Sequence, residues 1–361
     1  MKNKIISAVM ATAMLVGSMS ACSSESVMSY GSHSINENEF CYYLATYKGK
    51  YAQTYSDFEN TAEYFSAVVT DDGQTAEDVL YSAVVHNVEM TLVCEQMFDD
   101  YGLQLSSSIE DTINSYIDDF VTEYSEGSKS KFNAALGAYG VNIKMLKKIY
   151  LRDEKVSALY DALYGSDGVI GITDDDRQNY LDENYVRVRH IYVNNKYVYA
   201  TDEDGVQEYT EDGLKKKREL TSDELAAKQA LIDAIDESLA EGGDFEEVYE
   251  AFSEDKYYEN GYYISADMDF IEEVTESALS LEVGEYKKIE TDYGTHYIMR
   301  LEMDEKPWEN SDNADFFDDY DTTVGEALFA ALVEEKITGV ELNNDILDEY
   351  TIADSAINYR F

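Results

Sequence analysis

The sequence predicts an α+β protein in which a long helical region precedes a smaller region that contains strands. Two segments, Val186–Val193 and Thr291–Leu301, alternate apolar and polar residues with a period of two, as β-strands do. Before the first strand and between the two, apolar residues recur at helical spacing, i, i+3, i+4 and i+7. Helices and strands that are segregated along the chain are typical of the α+β class.

The composition bounds the size and the environment of the protein. Its 361 residues suggest two or three domains, and a hydrophobic content of 44% is enough for packed cores. The formal net charge is -48, from 75 acidic and 27 basic residues. Because such a surface repels phosphate groups, the charge argues against nucleic acid and anionic lipid headgroups as partners. It suits a soluble surface that faces the outside of a cell.

The start of the chain is typical of a secretory signal. Lys2 and Lys4 precede an apolar run over residues 5–16, and small residues follow up to Cys22. The ending Ser20-Ala21-Cys22 resembles a bacterial lipobox, which implies a signal peptide over residues 1–21 and a lipidated Cys22. Cys22 would then anchor the protein to the extracytoplasmic face of a cell membrane. The alternative is a buried first helix, since the run is too short for a permanent membrane span.

Helical patterns fill residues 22–184. Capping boxes predict helix starts at Asn36–Glu39, Ser107–Glu110 and Thr173–Asp176, and the last of these helices ends near Asn184. A longer helix over Ala76–Asp99 is apolar on most sides, so we expect it to be buried.

Cys41 and Cys94 lie in this helical region. Export makes a disulfide between them possible, but their apolar helical surroundings favour two buried free thiols. Neither cysteine stands at zinc-ligand spacing from another cysteine or a histidine, so the sequence predicts no metal and no cofactor.

Further elements lie between the two predicted strands. The charged segment at about residues 195–220 is expected to be an inserted, exposed hairpin or loop. Capping residues predict helices after Thr221 and after Asp244, and Ile271, Val274 and Ala278 form another helical stripe. Lys287–Glu290 is a further predicted strand.

Each of the two alternating strands carries a histidine, His190 and His296, in a chain that has only 4. Asp255 lies between them in Phe252-Ser253-Glu254-Asp255, and Asp292–Ile298 forms a turn that leads into the last strand. This pattern resembles the parvulin-type (PpiC) peptidyl-prolyl isomerases over residues 186–301. The resemblance implies a domain at 185–302 with a four-stranded, mainly antiparallel sheet and surrounding helices.

The resemblance also implies a site. His190, Asp255 and His296 fall on catalytic positions, and Phe270 and Val274 fall where the family grips the proline ring. Tyr192 and Tyr263, on neighbouring strands, are further substrate-binding candidates. The alternative is architectural: both histidines could be satisfied core residues that join two central strands.

The order of elements resembles the PrsA-type and SurA-like foldases. That resemblance implies a polypeptide-binding lobe at residues 22–184, onto which C-terminal helices at 303–361 fold back. The alternative is a helical bundle with no role beyond spacing.

Together these features predict a lipid-anchored foldase that isomerises X-Pro bonds in unfolded secreted polypeptides. A binding-only chaperone with an inactive parvulin domain, or a surface solute-binding or adhesin lipoprotein, are the alternatives.

Overall fold

The computed structural model describes residues 25–258, 260–266, 268 and 270–361, so the predicted signal peptide and Cys22 lie outside the described residues. The helices of this part are α1 Glu37–Thr54, α2 Ala62–Ser66, α3 Ala76–Asp100, α4 Ser107–Ser125, α5 Lys129–Leu136, α6 Ile143–Tyr164, α7 Asp174–Asn184, α8 Ser222–Ala240, α9 Phe245–Phe252, α10 Glu272–Ser280, α11 Ala314–Phe317, α12 Tyr320–Ile337 and α13 Asn344–Leu347. The strands are β1 Ser26–Tyr30, β2 His33–Asn36, β3 Tyr185–Val193, β4 Tyr197–Tyr199, β5 Lys217–Glu219, β6 Tyr262–Ser265, β7 Tyr286–Glu290, β8 Thr295–Leu301 and β9 Glu341–Leu342. The predicted α+β class is confirmed.

The chain forms two compact units. The helical unit contains the described residues up to Gly171 together with Gly325–Phe361, and the sheet unit is formed by the described residues of Ile172–Val324. In the helical unit, strand β9 from the later segment pairs antiparallel with β1, through Met28 opposite Leu342. The later segment thereby completes a three-stranded sheet of order β2-β1-β9.

The unit boundaries differ from the predicted ones, which were drawn at residues 184/185 and 302/303. Helix α7 belongs to the sheet unit because its Arg177 binds both carboxylate oxygens of Asp321, at 2.6 and 2.7 Å. The Tyr320 hydroxyl also donates to the Arg177 carbonyl at 2.7 Å. These bonds join residues 144 and 143 positions apart, which no local sequence pattern reveals.

Two of the three helix caps that were predicted within residues 22–184 are formed. Asn36 caps α1 and Thr173 caps α7, each with a reciprocal bond from the third helical residue. The predicted box at Ser107–Glu110 is wrong, since α4 begins at Ser107 and its N-cap Ser106 makes no capping bond. The Ser106 hydroxyl is bonded to the Ser108 hydroxyl instead, at 2.6 Å.

The sheet unit is built on a four-stranded sheet of order β6-β3-β8-β7, in which every neighbouring pair is antiparallel. Helices α8 and α9 cover one face, where Ile191 and Tyr297 enter their apolar cluster. Helix α10 covers part of the other face, against Val188 and Ile298. Because side chains alternate across a strand, His190 and Tyr192 share the α10 face with Val188.

The inserted segment after β3 is a hairpin. Strands β4 and β5 pair antiparallel, with Tyr197 opposite Glu219 and Tyr199 opposite Lys217. Side chains at its far end, such as Val206 and Leu214, are exposed.

Cys41 and Cys94 are free thiols, as the apolar surroundings predict. Cys94 is buried, which raises the pKa of its thiol to about 12. Among the described residues, no helix combines the length and the apolar character that crossing a membrane requires.

Candidate functional site

Strand pairing brings the two histidines together. In the register of β3 and β8, Tyr192 lies opposite His296 and His190 lies opposite Ile298, so both imidazoles lie on the α10 face. His190 is 6% exposed and His296 is 1% exposed. The Nε2 atom of His190 lies 2.9 Å from Nδ1 of His296, and the two ring planes differ by 9°. The predicted juxtaposition of these side chains therefore occurs.

The hydrogen bonds around the pair fix the direction of its protons. The Thr291 hydroxyl lies 2.8 Å from His296 Nε2 and accepts from the Tyr293 N–H at 3.0 Å. A hydroxyl has one proton, and its other acceptor, the Gly294 carbonyl, is 3.5 Å away. We therefore assign the Thr291 hydroxyl as the donor to His296 Nε2, which places the His296 proton on Nδ1, where it is donated to His190 Nε2. His190 in turn carries its proton on Nδ1.

Asp255 lies at the other end of this chain of bonds. Its Oδ2 atom is 3.3 Å from His190 Nδ1, although the N–H is not aimed closely enough at the oxygen to form a regular hydrogen bond. The Tyr262 hydroxyl also donates to Oδ2, and the Tyr257 N–H donates to Oδ1 at 3.2 Å. Burial opposes ionisation of this carboxyl, but the interactions with His190 and Tyr262 outweigh it and lower the pKa of Asp255 to about 2. An ionised Asp255 only accepts, which agrees with a proton on His190 Nδ1.

Burial has the opposite effect on His296. It disfavours the charged imidazolium and, with the nearby His190, lowers the pKa of His296 to about 3. His296 is therefore a neutral imidazole near pH 7, and the orientation of its proton depends on Thr291.

A serine at the end of α9 positions the loop that carries Asp255. The Ser253 hydroxyl accepts from the Tyr192 N–H at 3.2 Å and donates to the Asp255 carbonyl at 2.7 Å. The Glu254 N–H adds a bond to the Tyr192 carbonyl at 2.9 Å. The loop is thereby held along the edge of β3 beside His190.

A shallow pocket of about 390 Å³ opens over the histidine pair. Its walls are mostly aromatic and apolar, and the carboxylates Glu254 and Asp255 also line it. The lining residues are His190, Tyr192, Glu254, Asp255, Tyr262, Phe270, Ile271, Tyr293 and His296.

Two predicted substrate-binding residues line this pocket and two do not. Tyr192 and Phe270 are part of its wall. Val274 is 1% exposed and packs in the core beneath α10. Tyr263 is 0% exposed and lies on the opposite face of β6, where its hydroxyl donates to Asp304 at 2.8 Å. Neither Val274 nor Tyr263 is available to a ligand in this pocket.

The sequence reasoning missed Tyr262, Ile271 and Thr291. Tyr262 occupies the place assigned to Tyr263, and its ring meets His190 edge-on with centroids 5.5 Å apart. Ile271 takes the place assigned to Val274, one helical turn earlier. The sequence held no clear signal for Tyr262, because three apolar residues in succession at 262–264 do not indicate which tyrosine faces the pocket.

The rim of the pocket depends on a close approach at Gly294. A Cβ atom at this position would lie 2.5 Å from the Val193 carbonyl oxygen and 2.7 Å from Cε2 of Tyr192. The absence of a side chain lets the turn before β8 pack against Tyr192, whose hydroxyl donates to the Tyr293 carbonyl at 2.7 Å.

Comparison with solved structures gives neighbours that include three PrsA proteins. PrsA from Bacillus subtilis is 18% identical, with 79% of this chain and 90% of that chain covered and a TM-score of 0.25. The peptidylprolyl isomerase PrsA from Bacillus cereus is 16% identical, with 90% of each chain covered and a TM-score of 0.25. The foldase protein PrsA from Streptococcus pneumoniae is 16% identical, with 91% of this chain and 90% of that chain covered and a TM-score of 0.21.

No family model matches the chain, and no curated protein is similar to it. Similarity at these TM-scores does not establish an activity, so the chemistry is argued from the pocket itself.

The pocket offers binding and electrostatics rather than a nucleophile. Its histidines are bonded to each other and to Thr291, and Asp255 is held by Tyr262 and His190. Within the described ranges, no group of three or more His, Cys, Asp or Glu side chains could hold a metal ion. An apolar wall beside hydrogen-bonded side chains of fixed orientation suits a reaction that rotates a bond without breaking one.

Proposed function

We propose that this chain is a lipid-anchored extracytoplasmic foldase whose sheet unit isomerises X-Pro peptide bonds and whose helical unit binds unfolded polypeptides. The observation that carries the isomerase proposal is the bonded pair His190–His296 beneath an aromatic pocket that also contains Asp255. The PrsA foldases named above agree with this proposal.

The wall of the pocket would hold the proline ring. Rotation about an X-Pro bond crosses a barrier of about 18–20 kcal/mol without making or breaking a covalent bond. Burying about 100 Å² of a pyrrolidine ring against Phe270, Ile271 and Tyr262 contributes roughly 2.5 kcal/mol. This contact accelerates rotation only to the extent that it is better in the twisted amide than in either planar form.

Asp255 would add a smaller electrostatic effect. The carbonyl oxygen of a planar amide is more negative than that of a twisted one, so a nearby carboxylate disfavours the planar forms. A unit charge about 5 Å away contributes roughly 3 kcal/mol at an effective dielectric constant of about 20. Since the oxygen loses only a fraction of a charge, this effect is below about 1 kcal/mol, and the apolar grip dominates.

The histidines would act as positioning residues. Hydrogen bonds from Thr291 through the histidine pair keep the floor of the pocket rigid, and His190 Nδ1 lies 3.3 Å from the Asp255 carboxylate. A preorganised floor needs no rearrangement when the amide twists.

The rate at which the protein isomerises a proline tetrapeptide tests the isomerase proposal. Phe270→Ala removes part of the wall without touching the histidine pair, and we expect kcat/KM for a proline tetrapeptide to fall by about tenfold, roughly 1.4 kcal/mol. Phe317→Ala is the matched control, because Phe317 packs on Tyr263 and Tyr320, away from the pocket-lining residues. Equal kcat/KM values for wild type and Phe270→Ala would reject the isomerase proposal.

A chain that suppresses aggregation of an unfolded client but leaves the refolding rate unchanged would be a binding-only chaperone. The shallow form of the pocket favours this second candidate.

The anchor is a separate proposal, motivated by the small residues before Cys22. Cys22→Ala is expected to move the protein from the membrane fraction to the soluble fraction, and retention in the membrane fraction would contradict it.

A further inference from the structure

Residues 358–361 form a short hook that is closed by one side chain. The Asn358 Oδ1 atom accepts from the N–H groups of Arg360 and Phe361, at 3.1 and 3.0 Å. Its Nδ2 atom donates to the Phe361 carbonyl at 2.6 Å, and the Tyr42 hydroxyl donates to the same carbonyl at 2.7 Å. The hook therefore has a defined conformation that presents the Phe361 ring to the helical unit.

The Phe361 ring occupies a site made of four aromatic rings. Centroid distances to Tyr124 and Phe132 are both 5.2 Å, with interplanar angles of 87° and 83°. Phe120 and Tyr139 complete the site at 5.8 and 6.1 Å. Edge-to-face contacts of this kind are favourable for any phenyl or phenol ring.

Two cavities adjoin the aromatic site, and the site and these cavities are together called the groove. One cavity of about 380 Å³ shares Phe120 with the aromatic site and is lined further by apolar side chains and by the carboxylates Asp153 and Glu154. The other, of about 490 Å³, shares Tyr139 with it and includes Glu349 and Asp354. These cavities offer space for the residues that flank a bound aromatic side chain.

Buried polar contacts hold the chain before the hook, whereas the hook itself is held by the Tyr42 bond, the aromatic site and the Arg360 guanidinium, which lies 5.2 Å from the Tyr124 ring centroid. Buried Lys48 donates to the carbonyls of Ala353 and Ser355, at 2.7 and 3.0 Å. The Asn358 N–H donates to the Ala45 carbonyl at 2.9 Å, beside Gly49, where a Cβ atom would lie 1.8 Å from the Asn358 carbonyl oxygen. After Asn358 the hook leaves this close contact, and Tyr359 and Arg360 are exposed.

We propose that the aromatic site is a client-binding site in which Phe361 imitates a bound residue. When the hook leaves, the site takes a phenylalanine or tyrosine of an unfolded polypeptide, and the client's flanking residues lie in the two cavities. The client segment is neutral or basic, because a chain with a net charge of -48 repels acidic segments. This inference rests on the proposed binding of unfolded polypeptides by the helical unit, to which the groove belongs, and not on the isomerase proposal.

The hook then lowers the affinity for clients. A ligand that binds only the open state has its apparent affinity reduced by the fraction of molecules that are open. Removing the Phe361 ring raises that fraction and leaves the groove walls intact.

Fluorescence anisotropy with a short labelled peptide tests this. The probe contains no proline, so the sheet unit has nothing to isomerise, and carries one central phenylalanine between serine and lysine residues. We expect Phe361→Ala to bind it at least about fivefold more tightly than wild type, and a peptide with alanine in place of phenylalanine to show no such gain. Tyr359→Ala, which removes a ring that is 54% exposed, is the matched control and leaves the affinity unchanged.

Two further variants keep the test decisive. Tyr42→Phe removes one bond to the hook without creating a cavity, so we expect a smaller gain in affinity and unchanged far-ultraviolet circular dichroism. Adding Phe120→Ala to Phe361→Ala is expected to abolish the gain. If neither Phe361→Ala nor Tyr42→Phe tightens binding of the phenylalanine peptide, residues 358–361 are part of the fold and not a displaceable ligand.

Discussion

The helical unit and the sheet unit each bury a polar cluster, and the two clusters differ in charge. In the helical unit, Arg152 on α6 is 1% exposed and binds Glu95 on α3 at 2.6 Å, with Glu39 on α1 at 3.8 Å. In the sheet unit, the buried partners are two imidazoles and the Thr291 hydroxyl. The first cluster joins three helices through full charges, whereas the second joins two strands through dipoles.

The two clusters differ in how well each tolerates the loss of a partner. A buried charge needs its partner at all times, because the desolvation cost is otherwise uncompensated. Lys148 and Lys155 add further cations to Glu39 and Glu95, at 2.8 and 3.2 Å. In the sheet unit, the imidazole pair and the Thr291 hydroxyl satisfy one another by hydrogen bonds, and Asp255 beside them is the ionised carboxylate that faces the pocket. This contrast suggests that the Arg152 cluster serves stability and that the histidine pair is available for function.

The largest expected effect breaks the charged cluster. Arg152→Met removes the nearest cation from buried Glu95, which keeps only the longer contacts to Lys155 and His33, so we expect the unfolding free energy to fall by about 3 kcal/mol. Urea unfolding followed by circular dichroism measures this loss. Trp308 fluorescence reports on the sheet unit, to which Trp308 belongs, and its transition is expected to change little.

Lys131→Met, which removes an exposed ion pair with Glu126 at 2.7 Å, is the control for charge loss alone. An Arg152→Met protein as stable as this control would show that the charged cluster does not hold the helices together.

The next largest effect is a loss of stability when the pH is lowered, because unfolding lets His296 take up a proton. The folded protein holds the pKa of His296 at about 3, whereas an unfolded histidine titrates near 6.5. The unfolded state therefore binds more protons below pH 6.5, and stability falls as the pH drops from 6.5 towards 3. At about 1.4 kcal/mol per pH unit, the loss between pH 6.5 and 5 is roughly 2 kcal/mol.

His296→Gln removes the titrating ring, so its unfolding free energy should depend less on pH in this range than that of the wild type. His86→Gln, at an exposed histidine beside Glu334, should not flatten the curve. Identical pH slopes for wild type and His296→Gln would contradict the assignment. Asp255 acts in the same direction at lower pH, because its stabilising ionisation is lost as the pH falls from about 3.8 to about 2.

The smallest expected effect concerns which ring nitrogen of His296 carries the proton. Thr291→Val removes the donor to His296 Nε2, at a cost of about 1–2 kcal/mol, and frees the imidazole to exchange tautomers. Ring ¹⁵N chemical shifts of the wild type should place the proton of His296 on Nδ1, and those of the variant should report a mixture. Thr291→Ser keeps the hydroxyl and should retain the wild-type tautomer, so a loss of tautomer there would argue against the role given to the hydroxyl.

Local patterns predicted much of this structure. Alternation over Val186–Val193 predicts both the strand and the face that His190 and Tyr192 share. Capping boxes at Asn36 and Thr221 mark helix starts that the structure contains. These predictions are confirmed because each pattern depends on residues that are close to one another along the chain.

The site was harder to predict, because strand phase and distant partners decide it. The short strand Tyr-Tyr-Ile-Ser at residues 262–265 has three successive apolar residues, so alternation does not indicate which tyrosine faces the pocket. In the Arg152 cluster, Glu95 is separated from Arg152 by 57 positions along the chain. Such partners are brought together by packing, which a single sequence does not display.

The missing side chain at position 294 also provides a way to judge other chains. Even one added methyl group there would push away the Tyr192 ring or the neighbouring main chain. A homologue with alanine or a larger residue at this position must therefore have rebuilt the mouth of the pocket, and its ability to act on proline cannot be assumed from retained histidines alone. The residue at position 294 is therefore a marker of whether a homologue has kept this pocket.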